Sequence, residues 1–277
     1  MWLILKILII FNSLSFSQDI NEYKKMMQQA LQLQDQINSQ RDIRIERISG
    51  NVKVISAEGE EKDLKNNYQY PLESGDIIKT GYDGSAMIYI DNIAAMKLDR
   101  NSEFEITDNS NEPVFSLNFG SLISKVEKFV KKKIQFKIKT IQAVCAIRGT
   151  EFAVEHSKLG GESIFAVFDE GELSIFPIDA EDDETKAIKL LKNSEVVFSN
   201  QTKNRRVTKI SRMSRYRNNF MDIRKRFLSH KKNWKRFTNE QRIKYRNLLF
   251  MKKNELNSKN KNKNIKRVGN NRKHIEK

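Results

Sequence analysis

From Ile43 to Ser199 apolar residues return at every second position in short runs. Ile43 and Ile45, Val52 and Val54, Ala86, Ile88 and Ile90, Phe104 and Ile106, Phe115, Leu117 and Phe119, Ile134, Phe136 and Ile138, Phe152 and Val154, Phe165 and Val167, Leu173 and Ile175, and Val196 and Phe198 all keep this period. Each run is bounded by Gly, Asp, Asn or Ser, so the pattern predicts about ten half-buried strands. Runs at Gly50, Gly84, Gly120 and Gly171 share a glycine followed by apolar residues at alternate positions. Glycine suits a strand entry that needs positive φ, but the steps between these four are too irregular for a strict solenoid. The expected fold is mainly β: a sandwich, a jelly roll or a partly coiled β architecture over residues 43–202.

The period changes on both sides of this region. Ile20, Tyr23, Met27, Ala30 and Ile37 fall near a 3–4 spacing, which predicts an amphipathic helix within residues 18–42. Packing along its own chain is the expected role, with a coiled-coil partner as the alternative, because clean heptads are few. On the other side Ile210, Met213, Tyr216, Phe220, Ile223 and Phe227 recur at 3-3-4-3-4 spacing. Arg212, Arg215, Arg217, Arg224, Lys225 and Arg226 occupy the other faces, so the segment reads as a basic amphipathic helix. Thr238, followed by Asn239, Glu240 and Gln241, has the form of a capping box. It should open a second helix carrying Ile243, Tyr245, Leu248, Leu249 and Met251, with Trp234 and Phe237 at the hairpin between the two. Residues 203–255 are thus expected to be basic helices and the Lys/Asn-rich residues 256–277 to be disordered.

Met1 to Phe11 is an apolar run broken only by Lys6, and Ser15 and Ser17 stand at the −3 and −1 places before Gln18. Residues 1–17 therefore read as a cleaved secretory signal, with an uncleaved anchor as the alternative; a membrane-spanning helix needs about 20 apolar residues. The protein is expected to be exported, to a periplasm or cell envelope.

Charge changes the picture of the C-terminal segment. Residues 1–202 hold 24 Lys and Arg against 31 Asp and Glu, whereas residues 203–277 hold 27 against 4. A mildly acidic body thus carries a strongly basic tail. Three destinations compete: an anionic envelope surface, the body itself or a partner protein, and nucleic acid, which export disfavours. For the surface, the contact residues would be Arg212, Arg215, Arg217, Arg224, Lys225, Arg226, Lys231, Lys232, Lys235 and Arg236.

Candidate chemistry is sparse. One Cys and 3 His exclude a disulfide framework and multi-Cys metal sites. Cys145 lies eleven positions from His156 with no third group indicated, so a buried structural thiol is the expected reading. Alternation would place Cys145, Ile147 and Gly149 on one strand face and Arg148, Thr150 and Phe152 on the other. The acidic run from Asp179 to Glu184 lacks the glycine and ligand spacing of an EF-hand. The lysines at 125, 128, 131, 132, 133, 137 and 139 suggest a hairpin tip at Lys131 to Lys133 that discourages edge pairing. No catalytic residue, metal ligand or cofactor is expected, and the protein is not expected to be an enzyme.

The run from Leu72 to Ile106, with its Gly75-Asp76 pair, Thr80-Gly81 turn and Gly84-Ser85-Ala86 strand, resembles the opening of FecR-type extracytoplasmic β domains. Phe115 to Val126, Thr140 to Glu155, Phe168 to Phe176 and Leu191 to Asn200 resemble the segments that follow, in the same order. The best-known of these stands here as Ala146-Ile147-Arg148-Gly149-Thr150-Glu151-Phe152. Family members usually carry Pro where Ile141 stands, a change in a turn. The resemblance implies the FecR-like β fold, with Gly75, Asp76, Thr80, Gly81, Arg148, Gly149, Thr150 and Phe152 as structural signature positions. In the namesake group such a domain follows a cytoplasmic anti-sigma segment and one membrane span, for which little room precedes Ile43. The resemblance therefore implies an envelope binding or scaffold module, contacting an envelope protein, a glycan or an anionic membrane surface. A periplasmic signal-receiving component of a sigma-factor and transporter circuit is the alternative. A nucleic-acid-binding protein is a further one should the signal segment not function.

Overall fold

The computed structural model describes residues 41–250 except 66, 110–111, 129–135, 148, 182 and 200–204. The signal segment, residues 18–40 of the expected N-terminal helix, the Lys131 to Lys133 turn, Arg148, Met251 with the rest of 251–255, and the tail 256–277 lie outside the described residues; Arg41 and Asp42 are described and are not helical.

The strands in chain order are β1 (Ile43–Ser49), β2 (Val52–Ile55), β3 (Glu61–Asp63), β4 (Tyr70–Leu72), β5 (Ile77–Thr80), β6 (Ser85–Ile90), β7 (Ala94–Leu98), β8 (Ser102–Asn109) and β9 (Glu112–Val126). They continue as β10 (Phe136–Lys139), β11 (Ala143–Ile147), β12 (Glu151–Ser157), β13 (Glu162–Val167), β14 (Glu172–Pro177), β15 (Ile188–Leu191), β16 (Ser194–Ser199) and β17 (Thr208–Lys209). One sheet runs β4–β1–β6–β7–β9–β12–β13–β16–β17, and the other β3–β2–β5–β8–β9–β10–β11–β14–β15. Every pairing is antiparallel except β9 with β10.

Strand β9 belongs to both sheets. Residues 112–119 pair with β8, and residues 120–126 pair with β7 and β12. The bend falls at Gly120, whose φ is 95°. A Cβ there would stand 2.5 Å from the Cα of Ser102, so both the backbone conformation and the close approach require glycine. The chain changes sheets at several other left-handed residues, namely Gly50, Gly75, Asn101, Gly149, Gly171 and Asn193. Three of the four glycine-led runs, at Gly50, Gly120 and Gly171, are therefore left-handed corners of a partly coiled sandwich, whereas Gly84 keeps an ordinary φ and is required because a Cβ there would stand 2.0 Å from the Asn51 carbonyl oxygen. Their spacing is irregular because the hairpins between corners differ in length.

Between the sheets lies a core that includes Phe104, Phe115, Phe136, Phe152, Phe165 and Phe198. Cys145, Ile147 and Phe152 all face it, contrary to the alternation expected across Gly149. The reason is the corner: at Gly149 the chain leaves one sheet for the other, so the two-residue phase is reset.

A second apolar cluster covers the outer face of the first sheet. Met87, Tyr89, Ala95, Ile123, Ala153, Ile164, Ala166 and Phe168 meet Met213, Tyr216, Phe220, Ile223 and Phe227. The latter come from a 3₁₀ turn (Arg212–Tyr216) and from helix α1 (Asn219–Asn233). This double burial explains why β6 is buried along its whole length and reads as the near-continuous apolar run Ala86 to Ile90. The expected single helix from Ile210 to Phe227 is thus a turn followed by a helix. Its apolar stripe is the expected one, but the first turn is held by Glu195 of β16, whose carboxylate accepts from the backbone N–H of Arg212 (3.1 Å) and Met213 (3.0 Å). Helix α2 (Asn239–Phe250) lies against β3 and β4, with Leu249 in the inter-sheet core. Its capping box is formed: the Gln241 N–H donates to Thr238 Oγ1 at 3.2 Å and the Thr238 N–H to Gln241 Oε1 at 3.0 Å.

Candidate functional site

The turn between β4 and β5 shapes one acidic seat. The Glu73 N–H donates to the Asp76 carboxylate at 2.9 Å, and the Asp76 N–H donates back to the Glu73 carbonyl at 3.1 Å. Asp76 has no exposed surface. A buried carboxylate needs a cation, and Arg246 of α2 supplies one in fork geometry, with bonds of 2.6 and 2.7 Å and a third contact of 2.9 Å to Glu73. Nearby, the Thr80 hydroxyl donates to the Asp99 carbonyl at 2.6 Å and accepts from the Ser102 N–H at 2.9 Å. The Gly81 N–H donates to the Asn51 carbonyl at 2.9 Å, so Thr80 and Gly81 tie the corner together.

The segment after β11 shapes a second seat. Gly149 has φ of 68°, and a Cβ there would lie 2.6 Å from the Cα of Lys128. Thr150 donates its hydroxyl to the Glu172 carbonyl at 3.0 Å, and Phe152 enters the core. Glu151, 1% exposed, receives Lys125 at 3.2 Å and both arms of the Arg224 guanidinium from α1, one at 2.7 Å. Arg224 reaches Asp169 as well, at 2.9 Å. Burial pushes the Glu151 carboxyl up, but the hydrogen bonds from Arg224 and Lys125 outweigh it and hold the group below the usual carboxylate range.

The other basic residues singled out in the tail divide into two groups. Arg212 pairs with Glu162 (2.8 Å), Arg215 with Glu155, Arg217 with Asp169 (3.3 Å), Arg226 with Glu46 (3.5 Å), Lys231 with Glu127 (2.6 Å) and Arg236 with Asp91 (3.1 Å). These side chains point back at the acidic β domain. Lys225, Lys232 and Lys235 are exposed and form no ion pair among the described residues. Between the helices, Arg44 lies 3.5 Å from the centroid of the Phe237 ring, pairs with Asp42 and donates to the Lys235 carbonyl at 2.5 Å. His230 stacks on Tyr89 with centroids 4.2 Å apart and donates from Nε2 to the Asp91 carbonyl at 2.8 Å. Burial lowers its pKa.

Sequence reasoning named the cations and missed their acidic partners. The available signal was the negative balance of residues 1–202, which mirrors the basic tail. Cys145 sits in the core and burial pushes its thiol up to about 12, the state of an inert structural cysteine. His156 instead bonds the Glu162 carbonyl and Ser163. The acidic run after Asp179 forms two 3₁₀ turns, Ile178–Ala180 and Glu184–Lys186. Among the described residues no group of His, Cys, Asp and Glu is arranged to hold a metal ion, and no helix is long and apolar enough to cross a membrane.

Residues 76–170 match the family model described as FecR protein. The matched segment opens at the Arg246 partner Asp76 and includes the Arg224 partner Glu151. Two crystal structures of a candidate anti-sigma factor from Parabacteroides distasonis ATCC 8503 align with 12% and 13% identity and a TM-score of 0.42. Each alignment covers 50% of this chain and 61% of that one, so this chain spans less than two thirds of that protein. No curated protein matches. The FecR match accords with a non-enzymatic protein of the periplasm or cell envelope.

Proposed function

We propose that the protein is a periplasmic signal-receiving component of a sigma-factor and transporter regulatory circuit, its FecR-type β domain making contact with an envelope partner protein. The observation that carries this reading is the wiring of the FecR-matched segment to the C-terminal helices through Asp76–Arg246 and Glu151–Arg224. Contact of a partner with the domain would strain seats that also hold α1 and α2, which gives a contact on the body a route to the tail. The test is chemical cross-linking in intact cells followed by purification of the full chain. Recovery of an outer-membrane transporter or an anti-sigma protein supports the reading. Recovery of neither, with sigma-dependent transcription unchanged in a deletion strain, sinks it.

One observation favours a second reading, an envelope scaffold whose tail rests on an anionic surface. On α1, Met221 (79% exposed) and Leu228 (65%) alternate with Lys225 and Lys232 in an outward stripe at 4-3-4 spacing. Apolar side chains interleaved with lysines suit a lipid interface, where each Lys contributes about 1 kcal/mol. Vesicle co-sedimentation of the full chain and of a Lys225→Glu/Lys232→Glu variant tests it. Salt-sensitive pelleting with anionic vesicles that the variant loses supports this reading, and equal behaviour of both chains overturns it.

A further inference from the structure

Where β9 bends at Gly120, the β-domain corner and the 3₁₀ turn of the tail enclose an open cleft of about 570 Å³. On one side Ser121 and Tyr216 join hydroxyls at 2.6 Å, and Tyr216 donates to Glu155 at 2.5 Å. The tail therefore completes the cleft.

His156 lines the cleft and is only 5% exposed. Its Nδ1 lies 3.1 Å from the Glu162 carbonyl, and a carbonyl only accepts, so Nδ1 carries the proton. Nε2 is then a bare acceptor, and it takes no partner among the described residues. Burial lowers the pKa of the ring, which keeps that lone pair free. A ligand matching this atom must donate a hydrogen bond. Asp99 also lines the cleft, and the half-buried ring of Phe119 supplies an apolar wall. Over that ring sits the ammonium of Lys158, 5.3 Å from its centroid, on an exposed and displaceable side chain. The lining carries Arg100, Lys158 and Arg215 together with Asp99 and Glu155, and Arg215 is already paired with Glu155. One positive charge is left over, on the exposed and solvated side chains of Arg100 and Lys158, so the buried part of the site, His156 and Phe119, suits a neutral hydroxyl donor with one apolar face.

We propose that this cleft binds a neutral pyranose unit, from a glycan or a free saccharide, with a sugar hydroxyl donating to His156 Nε2 and the apolar ring face laid on Phe119. The volume lies within the range of small-ligand sites and suits one or two sugar rings. Its occupation is separate from the protein contact proposed above, because it uses the Gly120 corner and the tail turn and leaves the Asp76 and Glu151 seats intact.

The experiment is titration of the isotope-labelled full chain with diacetylchitobiose and with maltose, followed by amide shifts, alongside pelleting with purified peptidoglycan sacculi. His156→Phe removes the acceptor, and Phe119→Ser, at a half-exposed position, removes the apolar wall with little demand on the core. Thermal melts establish that each variant is folded. The expected result is saturable shifts at Phe119, Ser157 and Lys158, with affinity lowered at least about tenfold in a folded variant. Binding to sacculi alone, lost in the same variants, also supports the site and identifies a polymer as its source. Absence of binding to every probe at about 20 mM, near the weak limit for a small specific site, overturns the proposal. So does binding that neither variant alters, or shifts at these residues caused by sodium sulfate and not by sugar.

Discussion

Arg246 and Asp76, 170 positions apart in sequence, meet through two parallel hydrogen bonds of 2.6 and 2.7 Å, with the carboxylate wholly buried. One member belongs to the FecR-matched segment and the other to the C-terminal helix α2. The pair joins a turn of the β domain to a segment whose sequence is merely basic and amphipathic.

Arg246→Ala should strand a buried charge, and the expected loss is about 3–5 kcal/mol of unfolding free energy. Adding Asp76→Asn should restore part of it, since both charges are then gone. Urea denaturation of the three chains measures this; a single-variant loss under about 1 kcal/mol would show that Asp76 is satisfied without α2.

Acid should loosen α1. The folded-state pKa of Glu151 is depressed, so its contribution to stability is complete above the unfolded value of about 4.3 and is lost as pH falls through the folded one. Melting temperatures measured from neutral pH downward should drop below about pH 4.3, and Glu151→Gln should make that drop shallower. Equal slopes in the two chains would count against the Glu151–Arg224 seat.

A second pH effect has its origin in His230 and begins nearer neutrality. Its folded pKa is lowered, so the unfolded chain takes up a proton near pH 6.5 while the folded ring, stacked on Tyr89, resists. Stability is therefore full above about 6.5 and declines as pH falls toward the folded value. His156, also lowered, adds in the same direction. Replacing His230 by Phe keeps an aromatic ring and removes the proton, so the difference in stability between pH 7.5 and 5.5 should shrink without vanishing. A difference equal to that of the parent chain would mean that His230 does not titrate between these values.

Phe220 is buried against Phe168 with ring centroids 4.7 Å apart. Phe220→Ala should cost about 3–5 kcal/mol. Ending the chain at Thr202 should be worse, because it uncovers Met87, Tyr89, Ile123, Ile164 and Phe168 together. That truncated chain is expected to bind a hydrophobic dye and aggregate, and its remaining a soluble, dye-silent monomer would refute the covering role of α1.

Much of the β domain could be read from local pattern. Alternation at Val52 and Val54 or Phe104 and Ile106 marks strands because one face of each meets the core. Strand β7 was not legible: Ala94, Ala95 and Met96 are buried on both faces, which erases the period. The apolar stripe from Met213 to Phe227 was plain in the sequence, yet its target was not, since an amphipathic segment looks the same whether it covers a sheet, a bilayer or a partner. Asp76 was expected as a structural position without its arginine, and Glu151 stood in the motif with no role assigned. His156 was set aside because no chemistry accompanied it locally; only the β9 bend and the tail turn bring Phe119, Tyr216 and His156 to one cleft.

Composition and periodicity by themselves determined the mainly β class, the basic helices that follow it and the acidic balance of the body, because each depends on neighbours a few residues apart. Where Arg224 and Arg246 go was decided by the tertiary structure. Arg224 and Arg246 find carboxylates 73 and 170 positions away, and the favourable energy of a buried, hydrogen-bonded ion pair depends on a desolvated seat that exists only once the sheets are closed and the helices are laid on them.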